Sequence, residues 1–213
     1  MLLAFDTATA AVTVALHDSG RVVTSSTTID AMRHGELLAP AITAALDSAW
    51  VPRQDLTAVA VGVGPGPFTG LRVGLVTARV LAAVLEIPVY GVCTLDVLAA
   101  EAVDAGGTGG RPFLVATDAR RREVYWAAYD GGGGRIDGPY VAKPIDVATE
   151  APVAGRGARL YPEAFGNLVG PEYPDAGVLA AVVADERAEL LDPEPLYLRR
   201  PDVAAPGRPK RVS

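Results

Sequence analysis

Apolar and polar positions along this chain switch between a period of two and a period near 3.6. Residues 2–5 are apolar and end on Asp6, which predicts a short strand. Val12, Val14 and Leu16 then alternate with Thr13, Ala15 and His17, a strand pattern with one buried face. Asp18-Ser19-Gly20 has turn composition, so residues 21–28 should return as the third strand of a meander. A helical period runs from about residue 35 to 50, with Pro40 bending the helix or marking its start. Residues 56–63 form a second apolar strand, which enters the loop Gly64-Pro65-Gly66-Pro67-Phe68-Thr69-Gly70. The helix expected over 71–85 has only Arg72, Thr77 and Arg79 as polar side chains. A strand at 87–92 leads into Cys93-Thr94-Leu95-Asp96-Val97-Leu98.

This order, βββαβαβα, is three antiparallel strands followed by two right-handed crossovers. It resembles the ribonuclease-H-like arrangement of the actin, hexokinase and Hsp70 group. The expected fold is therefore α/β and actin-like (ASKHA). Residues 1–105 make the first subdomain, and 106–203 a smaller, degenerate second α/β subdomain. The boundary is set at Gly106 to Gly110. In the second half, residues 112–117 and 123–129 predict a hairpin around Asp118-Ala119-Arg120-Arg121-Arg122. Gly131 to Gly134 reads as a flexible turn, since no strand-to-helix transition surrounds it. An Ala/Val/Leu-rich helix over 175–191 is expected to pack back on the first subdomain. Residues 204–213, with Arg208, Lys210 and Arg211, read as a solvated, disordered tail. No repeat of 20–50 residues is visible.

Half the 213 residues are apolar but only 6% are aromatic, so Ala, Val and Leu must carry the packing. The net charge is −6, with five basic and ten acidic residues up to Ala105 and fourteen and fifteen after it. Neither half is basic, which argues against autonomous nucleic-acid binding. The single cysteine, Cys93, excludes an internal disulfide and a multi-cysteine zinc site, and its strand-end position suits a buried thiol. No signal peptide and no bilayer-spanning apolar run is visible, so a cytoplasmic protein without a membrane is expected.

Glycines between a buried strand and a helix let backbone approach an anion closely. Yet there is no Gly-Lys-[Ser/Thr] and no Gly-x-Gly-x-x-Gly, and after the loop only Asp96 offers a general base. In the actin-like group the first hairpin, here Asp6-Thr7-Ala8-Thr9-Ala10-Ala11, faces nucleotide phosphates, with its Asp near the metal. That resemblance makes Asp6, Thr7, Thr9, Gly64 and Gly66 the nucleotide-proximal candidates. The plainer reading of such a turn is hydroxyl capping of backbone N–H groups.

Longer motifs then narrow the choice. They are residues 3–9 with 12–16, His34-Gly35-Glu36-Leu37-Leu38-Ala39-Pro40, and Val61-Gly62-Val63-Gly64-Pro65-Gly66-Pro67-Phe68-Thr69-Gly70-Leu71-Arg72-Val73-Gly74. Asp118-Ala119-Arg120-Arg121 with Glu123-Val124-Tyr125, and Pro195-Leu196-Tyr197-Leu198-Arg199, complete the set. Together they resemble the TsaB family (older name YeaZ), a subunit of the bacterial machinery making threonylcarbamoyladenosine in tRNA. The departures are Pro67 and Arg122, where the family pattern has Ser and Gly. The paralogous catalytic family, TsaD, reads Gly-Val-Asn-His-Leu-Glu-Gly-His at the corresponding place, and its two histidines hold a metal. Here Thr94 and Leu98 occupy those positions, and Leu has no donor atom. The resemblance implies no catalytic residue, no metal and no cofactor of its own, with ATP or ADP at a site completed by partner subunits. It implies pairing with a TsaD-like subunit and a TsaE-like ATPase, a homodimer when the chain is alone, and contact with tRNA only through the complex.

The two first-half helices carry more apolar surface than one sheet covers. Leu38, Ile42, Ala45 and Ala49 form one stripe, and Leu37, Ala41 and Ala44 a second. The 71–85 helix is apolar nearly all round, which predicts burial on every side. Gly74, Ala78 and Ala82 allow close backbone approach on one face. Either the second subdomain covers these helices or they form a protein–protein interface. The interface candidates are Leu37, Leu38, Ala41, Ile42, Ala45, Leu75, Val76 and Arg79. The competing classes are an actin-like nucleotide-hydrolysing or sugar-kinase enzyme, with Gly155-Arg156-Gly157-Ala158 as its second loop, and a metallopeptidase.

Overall fold

The computed structural model describes residues 1–199; the expected tail at 204–213 lies outside them. The first sheet contains β1 (Leu2–Asp6), β2 (Ala11–Asp18), β3 (Arg21–Ile29), β4 (Ala58–Gly62) and β5 (Val89–Val92), ordered β3-β2-β1-β4-β5. Central β1 runs antiparallel to β2 and parallel to β4, so Phe5 stands between Val14 and Val61. The crossover helices are α1 (His34–Ser48) and α2 (Phe68–Leu85), and α3 (Thr94–Asp104) follows β5. Phe68, Thr69 and Gly70, read from the sequence as loop, are already the first turn of α2.

The second sheet holds β6 (Phe113–Asp118), β7 (Val124–Tyr129), β8 (Arg135–Ala142), β9 (Thr149–Ala154) and β10 (Phe165–Leu168) in the order β10-β9-β6-β7-β8. With β6 in the place of β1, the order and the sense of every pairing repeat those of the first sheet. The second half is degenerate in its helices only. A 3-10 turn, Pro144–Val147, joins β8 to β9, and the five-residue α4 (Arg156–Leu160) joins β9 to β10.

The last helix, α5 (Ala176–Ala184), lies on the first sheet opposite α1 and α2. Alternation along the strands sorts side chains by size. Leu3, Phe5, Val14 and Val61 pack beneath α1 and α2, whereas Ala4, Ala15 and Ala60 make room for Ala176, Leu179 and Ala180 of α5. β2 is consequently buried on both faces along all but its last residue, not on one as its period suggested. Asp175 caps α5 by accepting from the N–H groups of Gly177 and Val178 at 2.7 and 3.1 Å. The helix stops at Ala184 rather than residue 191, because the chain turns to pair Leu191 with Gly91 at 2.8 Å in both directions. Leu95, Leu98 and Ala102 of α3 pack against Phe113, Val115 and Tyr129, joining the two halves in one core.

Candidate functional site

Asp6 closes β1 and has no accessible surface. Its Oδ1 accepts the Ala8 N–H at 2.6 Å, and its Oδ2 accepts the Thr94 hydroxyl at 2.7 Å. Thr94 Oγ1 in turn accepts the Gly64 N–H at 3.2 Å, and Thr7 Oγ1 donates to the Gly70 carbonyl at 2.8 Å. The glycines serve this internal packing. A Cβ at Gly62 would stand 1.9 Å from Asp6 Oδ2, one at Gly66 2.0 Å from the Ala8 carbonyl, and one at Gly74 2.6 Å from Thr7 Oγ1. Burial pushes the Asp6 carboxyl above the ordinary carboxylate range, against the Ala8 and Thr94 hydrogen bonds and the nearby His34.

This geometry corrects three of the five nucleotide-proximal candidates. The Asp6 carboxylate, the Thr7 hydroxyl and the Gly64 N–H are spent on hydrogen bonds to Ala8, Gly70 and Thr94; these groups do not fit a nucleotide. Thr9 and Gly66 line two adjoining cavities between the sheets, and the Thr9 carbonyl lies 2.7 Å from His34 Nε2. The second candidate loop is spent likewise. A Cβ at Gly155 or Gly157 would come within 2.3 or 2.8 Å of the Ala116 carbonyl.

The remaining chemistry-bearing side chains are also tied down. Leu98 is buried in the core. Asp96 Oδ1 accepts the Tyr129 hydroxyl at 2.7 Å and lies 3.7 Å from Arg135 Nε. Burial and the Asp96 charge push the Cys93 thiol up to about 12. Among the described residues no three His, Cys, Asp or Glu side chains gather as metal ligands. Thr94 was legible only as a missing histidine; its role in closing Asp6 depends on a contact 88 residues away in sequence.

The helices present a different surface. Leu38, Ile42 and Ala45 of α1 and Leu75 of α2 lie in the core beneath their own sheet, which corrects their assignment to an interface. Leu37 and Ala41 of α1 are half-buried and pack against the same core cluster. The expectation that α2 is covered all round also fails. Its Gly74, Ala78 and Ala82 face packs on the sheet, while Val76, Val80 and Val84 stand 58%, 55% and 73% exposed. Arg79 lies at the flank, donating through Nε to the Pro193 carbonyl at 2.8 Å and pairing with Glu194. Val80 and Val84 were missed as candidates, although valines at four-residue spacing mark one helix face. Trp50, just beyond α1, is 93% exposed. By length and composition α2 could cross a membrane, yet its inner face is built into this core.

Over residues 22–157 the chain matches the family model described as TsaD: tRNA N6-adenosine threonylcarbamoyltransferase. A protein of Mycobacterium leprae (strain TN), described as uncharacterized, is 44% identical over 95% of this chain and 55% of its own. The tRNA threonylcarbamoyladenosine biosynthesis protein TsaB of Escherichia coli (strain K12) is 39% identical over 60% of this chain and 54% of its own. The chain thus spans about half the length of both relatives. The structure of YeaZ from Pseudomonas aeruginosa superposes with a TM-score of 0.79 at 33% identity, covering 92% of this chain and 99% of that one. Fold and match together define an actin-like protein of the TsaD type. Within that group, the chain belongs to the TsaB/YeaZ family.

Proposed function

We propose that this chain is a non-catalytic subunit that pairs with a TsaD-like transferase, served by a TsaE-like ATPase, to form threonylcarbamoyladenosine in tRNA next to the anticodon. In this reading the TsaD-like partner moves the threonylcarbamoyl group from threonylcarbamoyl-adenylate onto adenosine, and this chain contributes surface. One juxtaposition carries the proposal: the actin-like acid Asp6 is sealed inside the chain, while the valine face of α2 is left open. A carboxylate with no accessible surface cannot ligate a metal or take a proton from substrate. A row of exposed apolar side chains on an ordered helix gains by being covered. The name of the E. coli relative supports the pathway, and the TsaD-type match supports a partner of the same fold.

The interface in this account is the exposed face of α2, with Val76, Val80 and Val84, extended by the half-buried Leu37 and Ala41 of α1; in the partner's absence the same surface pairs two copies of this chain. ATP or ADP belongs at a site completed by partner subunits. The kinase and hydrolase readings lose their support with Asp6 and Gly155 both packed inward. The test is reconstitution with tRNA, ATP, threonine, bicarbonate and the adenylate-forming enzyme. The chain alone should yield no modified nucleoside, and adding the TsaD-like subunit should restore it. Product from the chain without that subunit would contradict the proposal.

A further inference from the structure

We propose that residues 191–199 form a latch, holding the 119–123 turn of the second sheet against the first subdomain. A partner covering α2 tightens this latch through Arg79; that part rests on the reading above that a TsaD-like subunit docks there.

The segment belongs to no helix, and Pro193 and Pro195 each remove a backbone donor. It is held instead by what it crosses. Leu191 bonds to Gly91 at 2.8 Å in both directions, and a Cβ at Gly91 would stand 2.7 Å from the Asp192 carbonyl. Arg79 on α2 grips the next two residues, through the Pro193 carbonyl at 2.8 Å and the Glu194 carboxylate. The Leu196 N–H donates to the Val63 carbonyl at 2.9 Å, and Tyr197 stacks on Phe68 at 5.0 Å. Leu191 and Leu196 pack against both the first-sheet core and the core that joins the two halves.

The far end of the segment reaches the second sheet. Arg199 Nη1 donates to the Ala119 carbonyl at 2.8 Å, and the same guanidinium pairs with Glu123, so one side chain ties both ends of the turn. The β6–β7 hairpin pairs Phe113 with Tyr129 at its base and Asp118 with Val124 at its tip. Its base is packed on α3. The tip lies roughly 17 Å further along the strands. A hairpin rooted at one end can swing at the other, and Arg199 holds the end that would swing. Phe68, Ala119, Tyr197 and Arg199 all line the cavity of about 180 Å³ between the sheets, so the latch sets its width.

At its α2 end the latch is weakly held. The Arg79 and Glu194 side chains are 43% and 70% exposed, and water screens such a pair. Arg79 directly precedes Val80 and flanks the open valine face. A partner seated on that face excludes water from the pair, and opposite charges attract more strongly where water is excluded. Docking on α2 and the hold on the 119–123 turn are thereby linked through one guanidinium.

The experiment is hydrogen exchange on the full chain by two-dimensional NMR, reading the Ala119 and Glu123 amides, both of which bond within the turn at 3.0 Å. Arg199→Ala removes the tie at the turn, and Arg79→Ala the anchor on α2. Each should speed exchange of these amides about fivefold or more, while the β1 and β4 amides keep wild-type rates and report an intact fold. Glu194→Gln, at an exposed position, should act in the same direction by about twofold. Wild-type rates at the turn in Arg199→Ala and Arg79→Ala would overturn the latch. Saturating TsaD-like subunit should slow the same amides in the wild type and leave them unchanged in Arg79→Ala. Bound subunit without slowing in the wild type would overturn the tightening. A subunit that does not bind at all, by calorimetry, would sink the proposed function and the tightening together, while the rates of the isolated chain would still decide the latch.

Discussion

Thr94 Oγ1 and Asp6 Oδ2 lie 2.7 Å apart, the hydroxyl donating to a carboxylate that water does not reach. Thr94 stands where the resemblance to TsaD would place a metal-binding histidine, and Asp6 where the resemblance to actin-like enzymes would place an acid near a metal. One hydrogen bond therefore joins two positions that chemistry would require to be open. The same hydroxyl accepts the Gly64 N–H, so β1, the glycine loop and the start of α3 meet at one oxygen.

Removing that hydroxyl should cost stability. Thr94→Val keeps the shape but strips Asp6 of a donor and leaves the Gly64 N–H unpaired. A loss of about 1–3 kcal/mol is expected in urea denaturation, and Thr94→Ser should recover most of it. An unchanged midpoint for Thr94→Val would show that the bond does not hold the seam.

Glu101 on α3 predicts a pH dependence. Burial, with Asp175 as a nearby like charge, pushes its carboxyl up to about 7. Its Oε2 has no hydrogen-bond partner. A folded value above the unfolded one means that the native chain holds the proton more tightly. This contribution is therefore fully favourable below the ordinary glutamate value and is lost as pH rises toward 7. Because the side chain is partly open to water, the effect is on the order of 1 kcal/mol. Glu101→Gln should gain on the wild type between pH 5 and 8; parallel stability curves would contradict the assignment.

Cys93 should be inert in the native protein. With its thiol pushed up to about 12 and no surface exposed, an aromatic disulfide reagent should titrate it only in denaturant. Rapid labelling without denaturant would show that the α3 seam opens.

Much of the first half is legible because each strand carries its own period and the glycine loop marks the crossover. β8 is not, because Gly138 and Pro139 interrupt an edge strand with no clean alternation. β10 is four residues long and holds Gly166 and Asn167. Residues 185–191 are helix formers on propensity, but the pairing of Leu191 with Gly91 overrides it. The duplication of the sheet is carried by pairing rather than by residue identity, so no sequence period betrays it. At the site, the motif residues stand out, but not the direction they face. Whether Asp6 looks to a ligand or to the core is decided by Thr94 and by the absence of a side chain at Gly62. On α1 both stripes are readable, and only the sheet determines that the Leu38 stripe is the inner one.

The central claim is that the open valine face of α2 binds a TsaD-like subunit, and Val80 tests it most directly. Val80→Glu places a charge on an exposed position, so the isolated fold should keep its melting behaviour. Within the pair that charge would be desolvated without a partner, at a cost of about 2 kcal/mol or more. Titration calorimetry against the TsaD-like subunit should therefore show affinity weakened by at least tenfold with the variant still folded. Leu38→Glu, beneath the sheet, should instead unfold the chain. Wild-type affinity for folded Val80→Glu would contradict the account.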